Sequence, residues 1–338
     1  MFIIKPLNNK AVWEKFLLNS DQVNFLQSFA WGETHQSLKH PVLRFGIYSK
    51  DKLIGLIQLI KVAAKRGTYW ECPGGPVLDF KNERLLEQAI NFLKELAKKE
   101  KVLWLRIRPN VPESLETKAA LKRLGFVKAP MHLHAENTLI IDLNQSLDKL
   151  LANMRKNTRY AVRQAEKLGV KVVTENNLKA VEELYRLQLK TAKRHHFVPF
   201  SLPYLKAQFE AFSKDNQIQI FKAVYQGRVL ALAMIIFYGP EAVYHYSGSS
   251  EESRRIPGSY LLQWVVIQAA KLRGLKRYNL WGIDPHFNPK HRFAGVTLFK
   301  TGFGGTALNY MPAHDLLFSW AYWPNYLFET LRRKLRRL

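Results

Sequence analysis

Cysteine is nearly absent from this chain of 338 residues: Cys72 is the single one. An internal disulfide and a cysteine-based metal site are therefore excluded, and a reducing compartment is expected. Acids are scarce as well. Asp and Glu number 27 against 52 Lys and Arg, a formal net charge of +25. That excess disfavours a protein handling only neutral metabolites. It suits a polyanion: RNA, DNA, an anionic membrane face or a pyrophosphate-bearing substrate. No run of about eighteen apolar residues occurs, and Met1 to Pro6 lack a basic stretch leading into a long apolar one. A cytoplasmic protein is expected, soluble or peripheral to the inner membrane face. The sequence also shows no metal-ligand cluster, no nucleophilic triad and no Gly/Ser/Pro-rich linker.

Apolar residues make up 47% of the chain, enough for sizeable cores. The chain also repeats itself. Lys52-Leu53-Ile54-Gly55-Leu56-Ile57 falls on Arg228-Val229-Leu230-Ala231-Leu232-Ala233 at an offset of 176 residues. At the same offset Leu85, Leu86, Ala89 and Ile90 fall on Leu261, Leu262, Val265 and Val266, one helical face in each half. The next apolar run, Val102 to Ile107, falls on Tyr278 to Ile283. Each half therefore reads as hairpin, helix, strand. The fold class expected is mixed α/β (α+β): tandem duplicated domains like those of the acyl-CoA N-acyltransferases (GNAT-like), by fold analogy. The first domain is placed at residues 1–145 and the second at 146–315, with a basic amphipathic tail over 316–338.

Ser146 suits a helix N-cap, and a helical pattern runs from it to Gly169. Arg155, Arg159, Arg163 and Lys167 recur every four residues along it, with Glu166 the only acid between Lys149 and Gly169. Such a stripe, spaced about 6 Å per step, matches a phosphate backbone; the competing reading is a solvated face. In the tail, Leu327, Phe328, Leu331, Leu335 and Leu338 make an apolar stripe, and Arg332, Arg333, Lys334, Arg336 and Arg337 crowd its end. Two readings stay open there: a helix attracted to acidic lipid, or one docked on its own domain.

An acyl-CoA site in this fold needs a small-residue loop at a helix start to cradle pyrophosphate. Arg255-Ile256-Pro257-Gly258-Ser259-Tyr260 keeps the arginine and one glycine, but Tyr260 is bulky and Pro257 lacks an N–H. Elsewhere a lone lysine, Lys300, stands between the aromatic run Tyr244-His245-Tyr246-Ser247-Gly248 and Phe303-Gly304-Gly305. Desolvated among apolar residues, such a lysine can hold negative charge. Strand alternation puts His245 on the face opposite Tyr244 and Tyr246. Asp284, after a strand end, is a candidate to orient an amine.

Phe25 to Gly32, Gly74-Gly75-Pro76-Val77-Leu78-Asp79, Lys156 to Glu166, Tyr244 to Ser250, and Phe299-Lys300 with Phe303-Gly304-Gly305 together resemble the Fem family, the FemA/FemB/FemX-type peptidoglycan bridge aminoacyltransferases. The resemblance runs in order over nearly the whole chain. It implies two acyltransferase-like domains and transfer of an amino acid to the stem peptide of a peptidoglycan precursor, either lipid II or the nucleotide-linked pentapeptide. Aminoacyl-tRNA would be the co-substrate, with no other cofactor, and Arg155, Arg159, Arg163 and Lys167 would meet it. Lys300 would stabilise the developing charge and Phe299 would shape the pocket beside it. Tyr204, Tyr244, Tyr246 and Asp79 would bind the precursor. Two positions depart from the pattern: Phe200 and His35 stand where basic residues are expected. The shorter form, without a pair of long inserted helices, is expected. The alternatives are an N-acyltransferase using acyl-CoA or another amine acceptor, and a non-catalytic module binding RNA or membrane.

Overall fold

The computed structural model describes residues 2–195, 198–289 and 293–336. Two compact units emerge, Met1–Glu136 with Asn309–Leu338, and Asn137–Leu308. In the first unit the chain lays down β1 (Phe2–Pro6), α1 (Lys10–Leu18), α2 (Phe29–Ser37), β2 (Val42–Ser49), β3 (Lys52–Ala64), β4 (Gly67–Gly74), α3 (Glu83–Glu100), β5 (Trp104–Pro109), α4 (Leu115–Arg123) and β6 (Phe126–Lys128). Helix α3 shows why the local sequence folds this way. The Asn82 side chain accepts the N–H of Leu85 at 3.0 Å and starts it. Leu85, Leu86, Ala89, Ile90 and Leu93 bury one face against Ile57, Leu59, Trp70 and Leu105 of the sheet.

The second unit contains β7 (Asn137–Asp142), α5 (Leu147–Asn153), α6 (Lys156–Lys167), β8 (Lys171–Thr174), α7 (Leu178–His195), α8 (Leu202–Ser213), β9 (Ile218–Tyr225), β10 (Arg228–Tyr238), β11 (Glu241–Ser249), α9 (Gly258–Leu272), β12 (Arg277–Gly282), α10 (Ala294–Thr301) and β13 (Thr306–Asn309). The chain then ends in β14 (His314–Leu317) and α11 (Tyr322–Arg336). The duplication is real: β2, β3, β4, α3 and β5 recur as β9, β10, β11, α9 and β12. Each unit has one seven-stranded sheet, ordered β1-β2-β3-β4-β5-β14-β6 and β13-β7-β12-β11-β10-β9-β8. The pairs β4–β5 and β11–β12 are parallel, joined by crossover helices α3 and α9. The longest helices among the described residues, α3 and α7, have 18 residues each, so there is no long helical insertion.

The domain boundaries differ from the expected ones. Strand β7 pairs antiparallel with β12 (Ile141 opposite Tyr278), so the second unit opens at 137 rather than 146. Strand β14 slots between β5 and β6, so the second unit ends at 308 and residues 316–338 are not a separate tail. In each sheet the strand beside the parallel pair comes from a distant point in the chain. A hydrogen-bonding partner of that kind leaves no mark in sequence order. Asp315 lies directly opposite Arg106 in the β14–β5 register and is bound by it at 2.7 and 2.8 Å. Tyr322 donates its hydroxyl to Asp315 at 2.8 Å, and Glu329 accepts from Arg106 at 2.8 Å. These bonds dock the start of α11 on its own unit.

The helix expected over 146–169 is two helices. Ser146 caps α5 as expected. Met154 and Arg155 are extended, with ψ of 151° and 148°, because the Arg155 N–H bonds to Gly302 O at 2.9 Å rather than within a helix.

Candidate active site

The two parallel pairs differ where it matters. Strands β4 and β5 stay in register over five residue pairs, from Trp70–Leu105 to Gly74–Pro109. Strands β11 and β12 pair only from Glu241–Arg277 to Val243–Asn279 and then part. Asn279 is a cause. Its side-chain oxygen accepts the Trp281 N–H at 2.8 Å, an Asx-type turn within the strand, and its amide donates to Glu241 at 3.2 Å. The register to β7 breaks between Asn279 and Gly282. Trp281 is forced to φ 61°, the left-handed region that bulky residues avoid. Asparagine is a poor strand residue, so its place between Tyr278 and Leu280 was a legible signal of this kink.

Lys300 lies at the opening so made. It is 7% exposed, near the end of α10, and its Nζ donates to Gly282 O at 2.7 Å. The Tyr244 ring centroid is 5.8 Å from Nζ. Burial lowers the Lys300 pKa to about 7. No described carboxylate forms an ion pair with it. A buried ammonium whose hydrogen-bond partner is a neutral carbonyl has unused capacity for an anion. Helix α10 is fixed at its start by Thr297, whose hydroxyl accepts the Asp284 N–H at 2.9 Å. The Asp284 carboxylate accepts the N–H groups of His286 and Asn288 at 3.1 and 2.8 Å, so it organises this loop. Phe299 packs on Tyr260 and Phe303, with centroids 5.0 and 5.2 Å away, and anchors α10 to the core.

The two tyrosines of β11 face different ways. Met234 pairs with Tyr246 and Ile235 with Tyr244, leaving His245 as the extra residue of a bulge. Tyr244 packs on the core and shares Gln263 of α9 with Tyr278; burial pushes its pKa up to about 12. His245 and Tyr246 turn instead toward α8. His245 Nε2 is 3.1 Å from Gln208 Nε2, and its ring meets Trp281 edge-on at 5.6 Å. Burial lowers its pKa to about 3. Tyr246 shares a hydrogen bond with Tyr204; burial first, then Tyr204, raises its pKa. Phe200 stacks on Tyr204 and tilts on Tyr246, both at 5.0 Å. The alternation expected for 244–246 fails because a bulge shifts the side-chain period by one.

The structure thus joins Lys300 with Tyr244, and Tyr204 with Tyr246 and Phe200, around one split strand pair. Asp79 belongs to the other unit, where it is exposed and caps the turn before α3 by accepting the Lys81 N–H at 2.9 Å. His35 also lies there, with its pKa lowered to about 4 by burial and then by His40.

The basic stripe divides. Arg155 donates to Leu298 O at 3.0 Å and to Thr301 Oγ1, tying down the end of α10 beside Lys300. Arg159 donates to Ala152 O at 2.7 Å and to Met154 O, closing the end of α5. Arg163 and Lys167 are exposed and have no ion pair or hydrogen bond among the described residues. Sequence spacing could not separate the two pairs, because the carbonyl and hydroxyl oxygens that accept from Arg155 belong to a helix about 145 residues away. Arg155→Ala is expected to lower both Tm and kcat, the stability loss being about 1 kcal/mol for neutral-acceptor bonds at an exposed site. An arginine that touched only phosphate would leave Tm unchanged in a thermal melt.

The degraded CoA loop is now explained. A Cβ on Gly258 would meet Leu230 Cδ1 at 2.7 Å, so packing against β10 demands this glycine. The N–H groups of Gly258 and Tyr260 are already bonded to Ile256 O and Pro257 O, at 2.7 and 3.0 Å, rather than aimed outward. Tyr260 fills the space over Phe299.

A family model described as the FemAB family matches residues 9–124, 124–224 and 216–319. The chain belongs to the FemAB family. Among its relatives is the lipid II:glycine glycyltransferase of Staphylococcus aureus (strain MRSA252), 21% identical over 370 residues and covering 86% of this chain and 87% of that one. The crystal structure of FemX superposes with a TM-score of 0.84 at 18% identity, covering 97% of this chain and all of that one. A tandem GNAT protein from the clavulanic acid biosynthesis pathway superposes at 0.57 with 14% identity, covering 94% and 99%. The fold of this FemAB protein is therefore the tandem GNAT-like one. No helix among its described residues is long and apolar enough to cross a membrane.

Proposed function

We propose that this FemAB protein is an aminoacyltransferase that moves an amino acid from aminoacyl-tRNA to the stem-peptide amine of a peptidoglycan precursor, in interpeptide bridge formation. The observation that carries this is Lys300, buried without a counter-charge at the mouth of the one parallel pair that opens. The amine nitrogen attacks the ester carbonyl carbon. A C–N bond forms and the C–O bond to the tRNA ribose breaks, with the amine proton passing to the ribose oxygen. Lys300 Nζ faces the oxygen on which charge develops. An ester is already activated, so positioning and oxyanion stabilisation suffice and no side-chain base is required.

Tyr204 and Tyr246 line the acceptor side, with Phe200 supplying an apolar plane where a phosphate-gripping arginine would otherwise stand. The relatives' name supports lipid II as the acceptor over the nucleotide-linked form; on this reading the reaction runs at the inner membrane face, with α11 in peripheral contact. The surplus positive charge suits the tRNA, with Arg163 and Lys167 as its contacts. Substituting both, Arg163→Glu and Lys167→Glu, is expected to raise KM for aminoacyl-tRNA about tenfold, more at low salt than at high, with kcat and Tm unchanged.

The test is transfer of a radiolabelled amino acid from a charged total-tRNA pool to lipid II or to the nucleotide-linked pentapeptide. Label on a precursor, abolished by RNase treatment of the tRNA, is the expected result. No label on either, with the tRNA shown to be charged, would refute the assignment.

A further inference from the structure

Helix α11 has two faces with opposite fates. Tyr322 and Asn325 are buried on the first unit, and Glu329 is bound by Arg106. Arg66, from the turn between β3 and β4, donates to Asn325 at 3.1 Å and lies over the Phe328 ring at 3.7 Å. The opposite side of the helix is exposed. Trp323, Leu327, Leu331 and Leu335 recur every four residues and are 50%, 61%, 51% and 85% exposed; Trp320, just before the helix, is 81% exposed. At 3.6 residues per turn these residues form one row on the side away from Tyr322 and Glu329.

Removing so many large apolar side chains from water favours a partner for this row. The charges around it say which kind. Arg332 and Lys334 flank the row on its two sides and are exposed, and Arg66 extends the basic rim past Phe328. The only acid of α11, Glu329, is turned inward and neutralised by Arg106. A second copy of this chain would bring an identical basic rim and a net charge of +25 against the first. An acidic lipid surface complements both the row and the rim, and tryptophans at the edge of an apolar face suit the headgroup level of a bilayer.

We propose that the outward face of α11 lies in the plane of an anionic bilayer, with Trp323, Leu327, Leu331 and Leu335 inserted and Arg66, Arg332 and Lys334 on the headgroups. The inward face fixes how the whole first unit meets the membrane, because Tyr322 and Glu329 lock the helix to Asp315 and Arg106. Of the two readings of the tail left open by the sequence, the docked one holds on the inward face, and the proposal assigns the lipid one to the outward face. The surface does not depend on the transfer reaction. Its test needs neither aminoacyl-tRNA nor precursor, so failure of either proposal is seen separately.

The experiment is co-sedimentation of the full chain with dense-loaded vesicles of phosphatidylglycerol mixed with phosphatidylcholine, against phosphatidylcholine alone. Wild type is expected to partition onto the acidic vesicles at least about fivefold better, the contribution of a single nearby cation, and to be released by salt. Leu331→Glu with Leu335→Glu should cut that binding about tenfold or more. Both sites are exposed, so the variant leaves no core cavity, and an unchanged melting curve shows that it folds. Equal binding of wild type to both vesicle types, or of the double variant and wild type to acidic ones, would overturn the proposal. So would sedimentation velocity showing a dimer that the double variant loses, with no vesicle binding; the row would then be the seat of a second copy.

Discussion

Lys300→Met is expected to abolish most of the transfer activity and to make the protein more stable. Removing a preorganised oxyanion donor costs about 10²–10³ in kcat, and methionine keeps the volume of the lysine stem. The gain in stability follows from burial. The Lys300 pKa falls from an ordinary 10.5 to about 7 in the folded chain, so the unfolded chain holds this proton more tightly. Stability from this group is full above the unfolded value, and it declines as pH falls from 10.5 to about 7. Below that it stays at its minimum, with a charged ammonium buried. The methionine variant is relieved of that cost but leaves the Gly282 carbonyl without its donor. A net gain of about 2 kcal/mol near neutrality results. Melting curves over a pH series should show the difference between variant and wild type growing as pH drops toward 7. In the wild type, transfer rate should decline above pH 7 as the ammonium is lost. A methionine variant that melts lower than wild type at every pH, or keeps its rate, contradicts this account of the site.

Asp315→Ala should be the most destabilising single change in the first unit, at about 3–5 kcal/mol. Asp315 is fully buried and receives two bonds from Arg106 and one from Tyr322. Burial works against the charge of Arg106, but Asp315 and Glu329 outweigh it and hold its pKa above the ordinary range. Without Asp315 the guanidinium would be buried with only Glu329, and Tyr322 would lose its acceptor. The same loss should loosen α11, since Tyr322 and Glu329 are two of its polar anchors beside Asn325, and limited proteolysis should then clip the chain after β14. Replacing both partners by apolar residues, Arg106→Met with Asp315→Leu, should cost far less than either charge left alone. Denaturant titration of Asp315→Ala and of the double variant against wild type decides the matter. An Asp315→Ala protein within about 1 kcal/mol of wild type would mean that the pair behaves as an exposed one.

The repeat was legible because each half buries the same faces of the same elements. Leu85, Leu86, Ala89 and Ile90 must meet a sheet, as must Leu261, Leu262, Val265 and Val266, and periodicity records that requirement. Lys300 was legible from its aromatic and glycine-rich surroundings and from the Phe299-Lys300 pair. Its pairing with Gly282 was not, because a carbonyl has no residue type. The bulge at His245 was also hidden. It depends on how β11 meets β10, and a one-residue shift there sends Tyr246 to Tyr204 while Tyr244 stays with Lys300.

The basic stripe gives the same lesson in charge. Arg155, Arg159, Arg163 and Lys167 are equivalent by spacing, yet two hold carbonyls and two are open to solvent. Their difference lies in α5 and α10, which fold against the start of α6.

By itself the sequence determined the duplicated α/β units and the basic character, since both rest on composition and local periodicity, and it singled out Lys300 by its neighbours and by the family resemblance. Tertiary structure alone decided which strand completes each sheet, where the parallel pair opens, and which face of α11 is left to the outside. Those outcomes depend on hydrogen bonds and burial between residues far apart in the chain, where local pattern carries no information.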